Sequence, residues 1–235
     1  TCPGRFEAER QTLFRNEPIV VAMSCDLRRP GDYVTDDNTG VPLLIVRGED
    51  GRARAFINAC QHRGARLAEG RGHAKRRFVC PYHAWSFKTD GCLLAIPLKK
   101  GYEGTGLEDQ QTGKGMKAVG AVHNYRGFVF ARLAEEGISF DEFFGDSLSS
   151  LDNMVDRSPA GRLEVAGPPL RYMHQCNWKM LVENQTDTCH PMVAHESSAG
   201  TAVQIWKDLG YTEDDPKPPA MEIIAPFMSP YEFFE

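Results

Sequence analysis

Two short segments of the sequence each carry a cysteine and a histidine at the close spacing expected of metal ligands. The first reads Cys60-Gln61-His62 and the second reads Cys80-Pro81-Tyr82-His83. Each segment can offer one thiolate and one imidazole, the ligand types that zinc and iron–sulfur centres take from proteins. Because both segments present the two types in the same order, we interpret the four residues as one metal site built from two loops.

The order of these ligands distinguishes two kinds of metal site. Structural zinc sites of the finger type pair Cys with Cys and His with His along the sequence, whereas here each pair is mixed. In a Rieske [2Fe–2S] centre, two His replace two Cys on one of the two irons, so each loop can give its Cys to one iron and its His to the other. The alternation favours a Rieske cluster, and a structural zinc site remains the alternative. The predicted ligands are Cys60, His62, Cys80 and His83.

A second group of polar residues follows a helical pattern that begins at Asn177. It consists of Asp187, His190 and His195. Asp187 and His190 share one helical face, while Pro191 disfavours a helical conformation at His190. We therefore expect the helix to end near His190, so that His195 folds back and both imidazoles reach one ion. Two His and one carboxylate form the facial triad of non-haem Fe(II) oxygenases.

Both groups resemble motifs of one family, the Rieske non-haem iron oxygenases, or aromatic-ring-hydroxylating oxygenases. Cys-x-His-Arg-Gly at 60–64 and Cys-Pro-Tyr-His-x-Trp at 80–85 resemble the cluster-binding loops, although Ala84 stands where the family often has Gly. Asn-Trp-Lys-x-x-x-Glu-Asn followed by Asp-x-x-His-x-x-x-x-His, at 177–195, resembles the iron-binding helix. The resemblance covers almost the whole chain and indicates the N-terminal half of an α subunit.

The resemblance implies a role for each residue in these motifs. His190 and His195 would bind a mononuclear Fe(II), and Asn184 would lie near that iron. Asp187 would not be a ligand but would bridge a Rieske His of one subunit and an iron-bound His of its neighbour. Tyr82 and Trp85 would shield the cluster or tune it through contacts with its ligands. The family's third iron ligand is an Asp far downstream, which suggests that this chain is truncated.

The resemblance also implies an enzyme and its partners. Electrons would pass from NAD(P)H through a reductase, with a ferredoxin in some systems, into the [2Fe–2S] cluster and on to the mononuclear iron. There O₂ would be activated to hydroxylate, dihydroxylate or demethylate a small organic substrate, commonly aromatic. A homotrimer or an α3β3 assembly is expected. Two other classes remain open: a Rieske electron-transfer protein without its own oxygenase site, and a zinc-stabilised binding module.

Short apolar runs separated by turn residues predict the element that positions the first site, a small antiparallel β domain. The turns are rich in Gly, Asp, Asn and Pro, and lie at 29–32, 37–40, 49–51 and 89–91. The predicted strands lie at 41–46, 54–57, 78–79, 85–87 and 92–96, with 119–122 and 128–133 closing the domain. The sequence thus places both ligand pairs on loops between strands.

Helical patterns flank this β domain. An amphipathic pattern predicts a helix over 5–16, and Ser139 with Glu142 predicts an N-cap for another helix. We expect an α+β protein with a small antiparallel β Rieske domain followed by the start of an α+β catalytic domain. The predicted parts are an N-terminal helical segment packing on the catalytic domain (1–37), the Rieske domain (38–157) and a partial catalytic domain with the mononuclear iron helix (158–235).

Composition excludes several other classes of protein. The 235 residues include 27 Lys and Arg against 32 Asp and Glu, a net charge of −5, so the basic surface of a nucleic-acid binder is not expected. No apolar run is long enough to span a bilayer, and no signal peptide is recognisable at the start, so we expect a cytoplasmic protein. The seven dispersed cysteines indicate thiols and metal ligands rather than a disulfide framework.

Overall fold

The computed structural model describes residues 2–73, 75–105, 115–167, 170, 172–187, 190–212 and 214–216. The chain separates into two compact units, Thr1–Pro169 and Leu170–Glu235. The described part of the first unit is built mainly from β-strands, and that of the second unit from helices. This is the α+β composition that the sequence predicts.

Ten short strands in the described part of the first unit form three antiparallel sheets. The first sheet has the order β1, β10, β9, formed by Ile19–Met23, Phe128–Arg132 and Ala121–Tyr125. The second has the order β4, β3, β2, β5, formed by Ala53–Ile57, Leu43–Arg47, Tyr33–Asp36 and Arg71–Gly72. The third has the order β6, β7, β8, formed by Arg77–Val79, Ser86–Lys88 and Leu93–Ala95.

Strand β3 separates two apolar cores. Because successive side chains of a strand point to opposite faces, Leu44 and Val46 pack into one core while Leu43 and Ile45 pack into the other. A strand covered on both faces is apolar throughout, and these four residues are fully buried. We call the first core the ligand core, and it consists of Leu44, Val46, Phe56, Cys60, Leu67, Phe78, Cys80, Trp85, Phe87, Ile96 and Met116.

The predicted turns connect the strands of the second and third sheets. Residues 37–40 join β2 to β3, 49–51 join β3 to β4, and 89–91 join β7 to β8. Gly91 has φ 92, and a Cβ at this position would lie 2.4 Å from the Phe56 ring. Only glycine fits such a turn, because it tolerates positive φ and leaves room for the neighbouring ring.

The described part of the first unit contains three α-helices: α1 (Pro3–Thr12), α2 (Phe140–Phe144) and α3 (Leu148–Asp156). The predicted cap is confirmed, since the Ser139 side chain accepts a hydrogen bond from the Glu142 N–H at 3.2 Å. The single helix expected after Ser139 is instead split by a 3-10 turn at Gly145–Ser147, which begins at a glycine of φ 46. Helix α1 is shorter than the predicted helix over 5–16, and none of its residues is buried.

Two predicted boundaries differ from the structure. Residues 1–37, expected to be a helical segment, also contain β1 and β2, because the β-branched run Ile19-Val20-Val21 favours a strand that pairs with β10. The boundary between units falls after residue 169 rather than after residue 157. Residues beyond α3 still contact the β region there, since the Arg28 guanidinium donates to the Glu164 carboxylate at 2.7 Å.

The second unit contains α4 (Trp178–Thr186), α5 (His190–Ala194) and α6 (Glu196–Asp208). Helix α4 begins where the sequence predicts, because the Asn177 side chain accepts a hydrogen bond from the Lys179 N–H at 3.0 Å. In the described part of both units, no helix has the length and apolar character needed to cross a membrane.

The packing of Phe78 in the ligand core leads to a prediction about the free energy of unfolding. Phe78 is fully buried and contacts the Tyr33 ring edge-on at 5.4 Å, whereas Val79 on the opposite face of β6 is 41% exposed. We expect Phe78→Ala to lower the free energy of unfolding by about 3–5 kcal/mol through the cavity it leaves. Val79→Ala is the matched control and should cost about 0.5 kcal/mol. Urea unfolding measures both, and equal losses would contradict this packing.

Candidate metal centres

The first ligand loop follows β4 and is closed by backbone hydrogen bonds. The Cys60 N–H donates to the Ala65 carbonyl at 2.8 Å, and the Gly64 N–H donates to the Cys60 carbonyl at 2.8 Å. Gly64 has φ 74, the left-handed conformation that lets the chain reverse. At the base of the loop, the fully buried Asn58 side chain accepts a hydrogen bond from the Leu67 N–H at 3.0 Å. The loop is therefore fixed at both ends.

The second ligand loop lies between β6 and β7 and repeats this pattern. The Cys80 N–H donates to the Trp85 carbonyl at 2.8 Å, and the Ala84 N–H donates to the Cys80 carbonyl at 2.9 Å. Ala84 has φ 56, so it occupies the left-handed conformation that Gly64 occupies in the first loop. Because the two loops have the same closing hydrogen bonds, Cys60 and Cys80 occupy equivalent positions, while the histidine stands two residues after the cysteine in the first loop and three residues after it in the second.

Both cysteines of the pair face the ligand core. Cys60 is 2% exposed and Cys80 is 3% exposed, and their side chains are in hydrogen-bonding contact. Burial is the main cause that raises the pKa of the Cys60 thiol, so this cysteine stays protonated until a cation is present to stabilise the thiolate. All six cysteines in the described part of the chain are free of disulfides.

The two histidines lie together at the outer side of these loops. The ring centroids of His62 and His83 are 4.6 Å apart. The Nδ1 atoms of both rings are buried and have no hydrogen-bond partner among the described residues. Burial, followed by the charges of His83 and Arg63, lowers the pKa of His62 and so favours the neutral imidazole that binds metals. The site therefore offers two buried imidazole nitrogens that lack hydrogen-bond partners in the described chain, together with two buried thiols. These four groups fit the donor set of a [2Fe–2S] cluster.

Two aromatic side chains cover the histidines. Trp85 is 3% exposed and stacks on His62, with ring centroids 4.9 Å apart and an interplanar angle of 3°. Tyr82 is 60% exposed, and its ring centroid lies 3.7 Å from that of His83. Each of the two aromatic residues predicted from the sequence thus contacts one of the two predicted histidine ligands.

The four side chains are arranged as two pairs. Among the residues that the structure describes, no three His, Cys, Asp or Glu side chains converge as they would around a single ion. A Rieske cluster needs no such convergence, because each of its irons takes only two protein ligands. The two thiols form one pair and the two imidazoles form the other.

The second group of predicted ligands lies in the second unit, where the helix boundaries differ from the expectation. Helix α4 ends at Thr186, and His190 begins α5 instead of ending α4. Pro191 predicts a helix end in the sequence, but in the structure this proline lies in the first turn of α5. A proline is tolerated there because its missing N–H would have no partner within the helix.

The structure brings His190 and His195 together. Their ring centroids are 5.5 Å apart, with His190 at the start of α5 and His195 at the N-cap of α6. Asp187 Oδ1 accepts a hydrogen bond from the His190 N–H at 3.2 Å, and Asp187 Oδ2 lies 3.6 Å from His190 Nδ1. That separation is too long for a hydrogen bond, so the buried Nδ1 is without one in the described chain. Asn184 is exposed on α4.

The sequence did not reveal three contributions to these sites. Asn58 holds the base of the first loop, and nothing in its local sequence distinguishes it from a turn residue. The left-handed conformation of Ala84 could be suspected only from the glycine that the family often has at this position. The ring centroid of Tyr102 lies 6.3 Å from that of Trp85, and no sequence motif connects the segment around Tyr102 with the site.

The matched loops allow a paired test of their backbone conformation. A non-glycine residue in the left-handed region lowers the free energy of unfolding by about 1–2 kcal/mol. A Cβ added at Gly64 would meet no atom within 4 Å, so backbone conformation alone decides the effect of a substitution there. We expect Ala84→Gly to raise the free energy of unfolding by about 1 kcal/mol and Gly64→Ala to lower it by about 1 kcal/mol. Thermal or urea unfolding measures both variants. Two changes of the same sign would contradict the shared conformation.

Comparison with known proteins agrees with this geometry. Residues 17–112 match the family model of the Rieske [2Fe–2S] domain. The α subunit of toluate 1,2-dioxygenase from Pseudomonas putida is 35% identical over 204 residues, which cover 87% of this chain and 45% of that protein. The chain therefore spans less than half the length of this curated relative.

Solved structures give the same result. Naphthalene 1,2-dioxygenase from Rhodococcus sp., bound to indole, superimposes with a TM-score of 0.76 and 29% identity over 92% of this chain and 47% of that chain. A quaternary ammonium Rieske monooxygenase, described in terms of carnitine oxidation by gut microbiota and inter-subunit electron transfer, matches with a TM-score of 0.58 and 34% identity over 64% of this chain and 40% of that chain. The chain thus contains a Rieske [2Fe–2S] domain within residues 17–112, and over less than half of their length it is similar to the α or large subunits of Rieske oxygenases.

Proposed function

We propose that the chain is part of a terminal oxygenase component, in which a Rieske cluster supplies electrons to a mononuclear Fe(II) site that activates O₂. The observation that carries this proposal is the pairing of two matched loops. They place two buried thiols in contact and leave two buried imidazole Nδ1 atoms without protein partners. Cys60, His62, Cys80 and His83 are the residues that would hold the cluster.

The cluster supplies one-electron transfer when it is bound. The described residues control its surroundings: the ligand core keeps water from Cys60 and Cys80, while Trp85 fixes the plane of the His62 ring by stacking on it. A buried site of this kind lets hydrogen bonds and local polarity set the reduction potential. Tyr82 covers His83 on the solvent side, where it limits the access of water.

His190 and His195 are the residues that would hold the mononuclear iron. Asp187 is a positioning residue for this site, because it holds the His190 backbone by a hydrogen bond and faces the His190 ring. A carboxylate beside the second nitrogen of a metal-bound imidazole orients the ring and raises its basicity. We also infer that Asp187 links this site to the Rieske histidine of a neighbouring subunit, and the related monooxygenase described in terms of inter-subunit electron transfer supports this inference. Asn184 would lie near the iron.

We infer the substrate class and the partners from the relatives. The proteins named for toluate and naphthalene favour a small aromatic substrate that is hydroxylated or dihydroxylated. The quaternary ammonium monooxygenase, described in terms of carnitine oxidation, makes a monooxygenation of a non-aromatic substrate the alternative. NAD(P)H would supply electrons through a reductase, with or without a ferredoxin. We expect a homotrimer or an α3β3 assembly in the cytoplasm, where free cysteines stay reduced.

The mononuclear site can be tested separately from the cluster. In the full-length protein, we expect the double variant His190→Ala and His195→Ala to lose the mononuclear iron and the oxygenase activity, because two of the iron ligands are gone. The cluster iron, its sulfide and its visible spectrum should be unchanged. His174→Ala is the matched control and should retain all iron. If the double variant kept full iron content and activity, His190 and His195 would not be the iron ligands. A parent protein that carried only the cluster iron would instead be an electron-transfer protein.

The role of Asp187 gives a kinetic prediction. Asp187→Asn removes the negative charge that faces the His190 ring but keeps the size of the side chain. We expect both metal sites to remain loaded, while electron transfer from the reduced cluster to the mononuclear site slows at least about tenfold. Rapid-mixing spectroscopy of the cluster absorbance follows this step. An unchanged rate would contradict the bridging role.

A further inference from the structure

An apolar residue followed by two lysines lies on the surface near the ligand core. Leu98 is 87% exposed and adopts φ 54, and Lys99 and Lys100 follow it in a 3-10 turn. Both lysines are exposed, and neither forms an ion pair within the described residues. We call residues 98–100 the Leu98 turn. One exposed leucine is ordinary on a protein surface, so the argument depends on what the turn contacts.

A chain of aromatic contacts connects this turn to a predicted cluster ligand. Tyr102 ends the same 3-10 turn and packs against the ligand core. Its ring meets the Trp85 ring edge-on, with centroids 6.3 Å apart. Trp85 in turn stacks on the His62 imidazole at 4.9 Å. Two ring contacts therefore connect Tyr102, which lies two residues after the Leu98 turn, with His62.

The charge of the turn indicates the kind of partner that it fits. The whole chain has a net charge of −5, yet the Leu98 turn presents two positive charges that form no ion pair within the described chain. An apolar centre with a charged rim is a usual arrangement for a transient protein interface. Positive charges at such a site steer acidic proteins toward it and raise the association rate.

We propose that the Leu98 turn is the docking site of an acidic iron–sulfur electron donor and that Tyr102 and Trp85 form the path to His62. This inference rests on the proposed function, since it requires a cluster at the four ligands. One electron leaves the reduced [2Fe–2S] centre of the donor, which becomes oxidised, and the oxidised Rieske cluster gains it. No bond forms or breaks. Plant-type ferredoxins have lower reduction potentials than Rieske centres, so the transfer is favourable.

The docking site is tested by the rate at which a plant-type [2Fe–2S] ferredoxin of net negative charge reduces the cluster. We expect Lys99→Glu with Lys100→Glu to lower the second-order rate about tenfold or more at low ionic strength, and high salt to diminish the difference. The double variant Arg5→Glu with Lys117→Glu makes the same change in net charge at other exposed positions. It should stay within about threefold of the parent.

The path is tested by changing the ring while leaving the surface charge intact. We expect Tyr102→Leu to lower the limiting rate of reduction at saturating ferredoxin and to leave the ferredoxin Kd unchanged, because Leu lacks an aromatic ring. Tyr102→Phe keeps the ring and should restore the limiting rate. The EPR spectrum and reduction potential of the cluster show that each variant is correctly loaded.

Two results would overturn the docking site. One is an equal loss of rate in the Lys99/Lys100 variant and in the Arg5/Lys117 variant. The other is a larger loss in Arg76→Glu with Arg77→Glu, which reverses an exposed basic pair just before Cys80 and would place the donor there. A chain that binds no iron or sulfide would overturn the proposed function itself, whereas a loaded cluster with insensitive rates would overturn the docking site alone.

Discussion

The backbone hydrogen bonds that close the two ligand loops are the constraint on which the site depends. In each loop the cysteine N–H is bonded to the carbonyl five residues later, and the cysteine carbonyl accepts the N–H four residues later. This arrangement requires a left-handed residue, which is Gly64 in one loop and Ala84 in the other. The two thiols form one pair and the two imidazoles form another, which suits a cluster whose irons would each take two protein ligands.

The β-sheets are needed because the loops alone cannot keep two thiols away from water. Strand β3 covers the ligand core on one side, and its apolar residues on both faces tie this core to that of the first sheet. Burial raises the pKa of Cys60, so cluster binding must displace a proton from a site that the folded protein already defines. A bound cluster would stabilise the folded domain, because its four ligands come together only when the chain is folded.

Sequence motifs predicted which side chains come together at the first site, but not the residues that support them. Ligand spacing identified the four residues that the structure brings together, since the alternation of Cys and His needs no knowledge of the fold. The role of Asn58 was not predictable, because its partner Leu67 is nine residues away and meets it only after the loop folds. Pro191 was misleading because proline marks a helix end or a first helical turn equally well. The aromatic contact of Tyr102 depends on a tertiary approach that no local pattern encodes.

The central claim is that the two loops hold a [2Fe–2S] cluster. Iron, zinc and acid-labile sulfide per chain, measured on anaerobically purified protein together with the visible absorption spectrum, test it most directly. The cluster predicts at least about two irons and about two sulfides per chain, with a visible spectrum that bleaches on reduction. A colourless chain that carries zinc and no sulfide would contradict the claim and would identify the two loops as a structural zinc site.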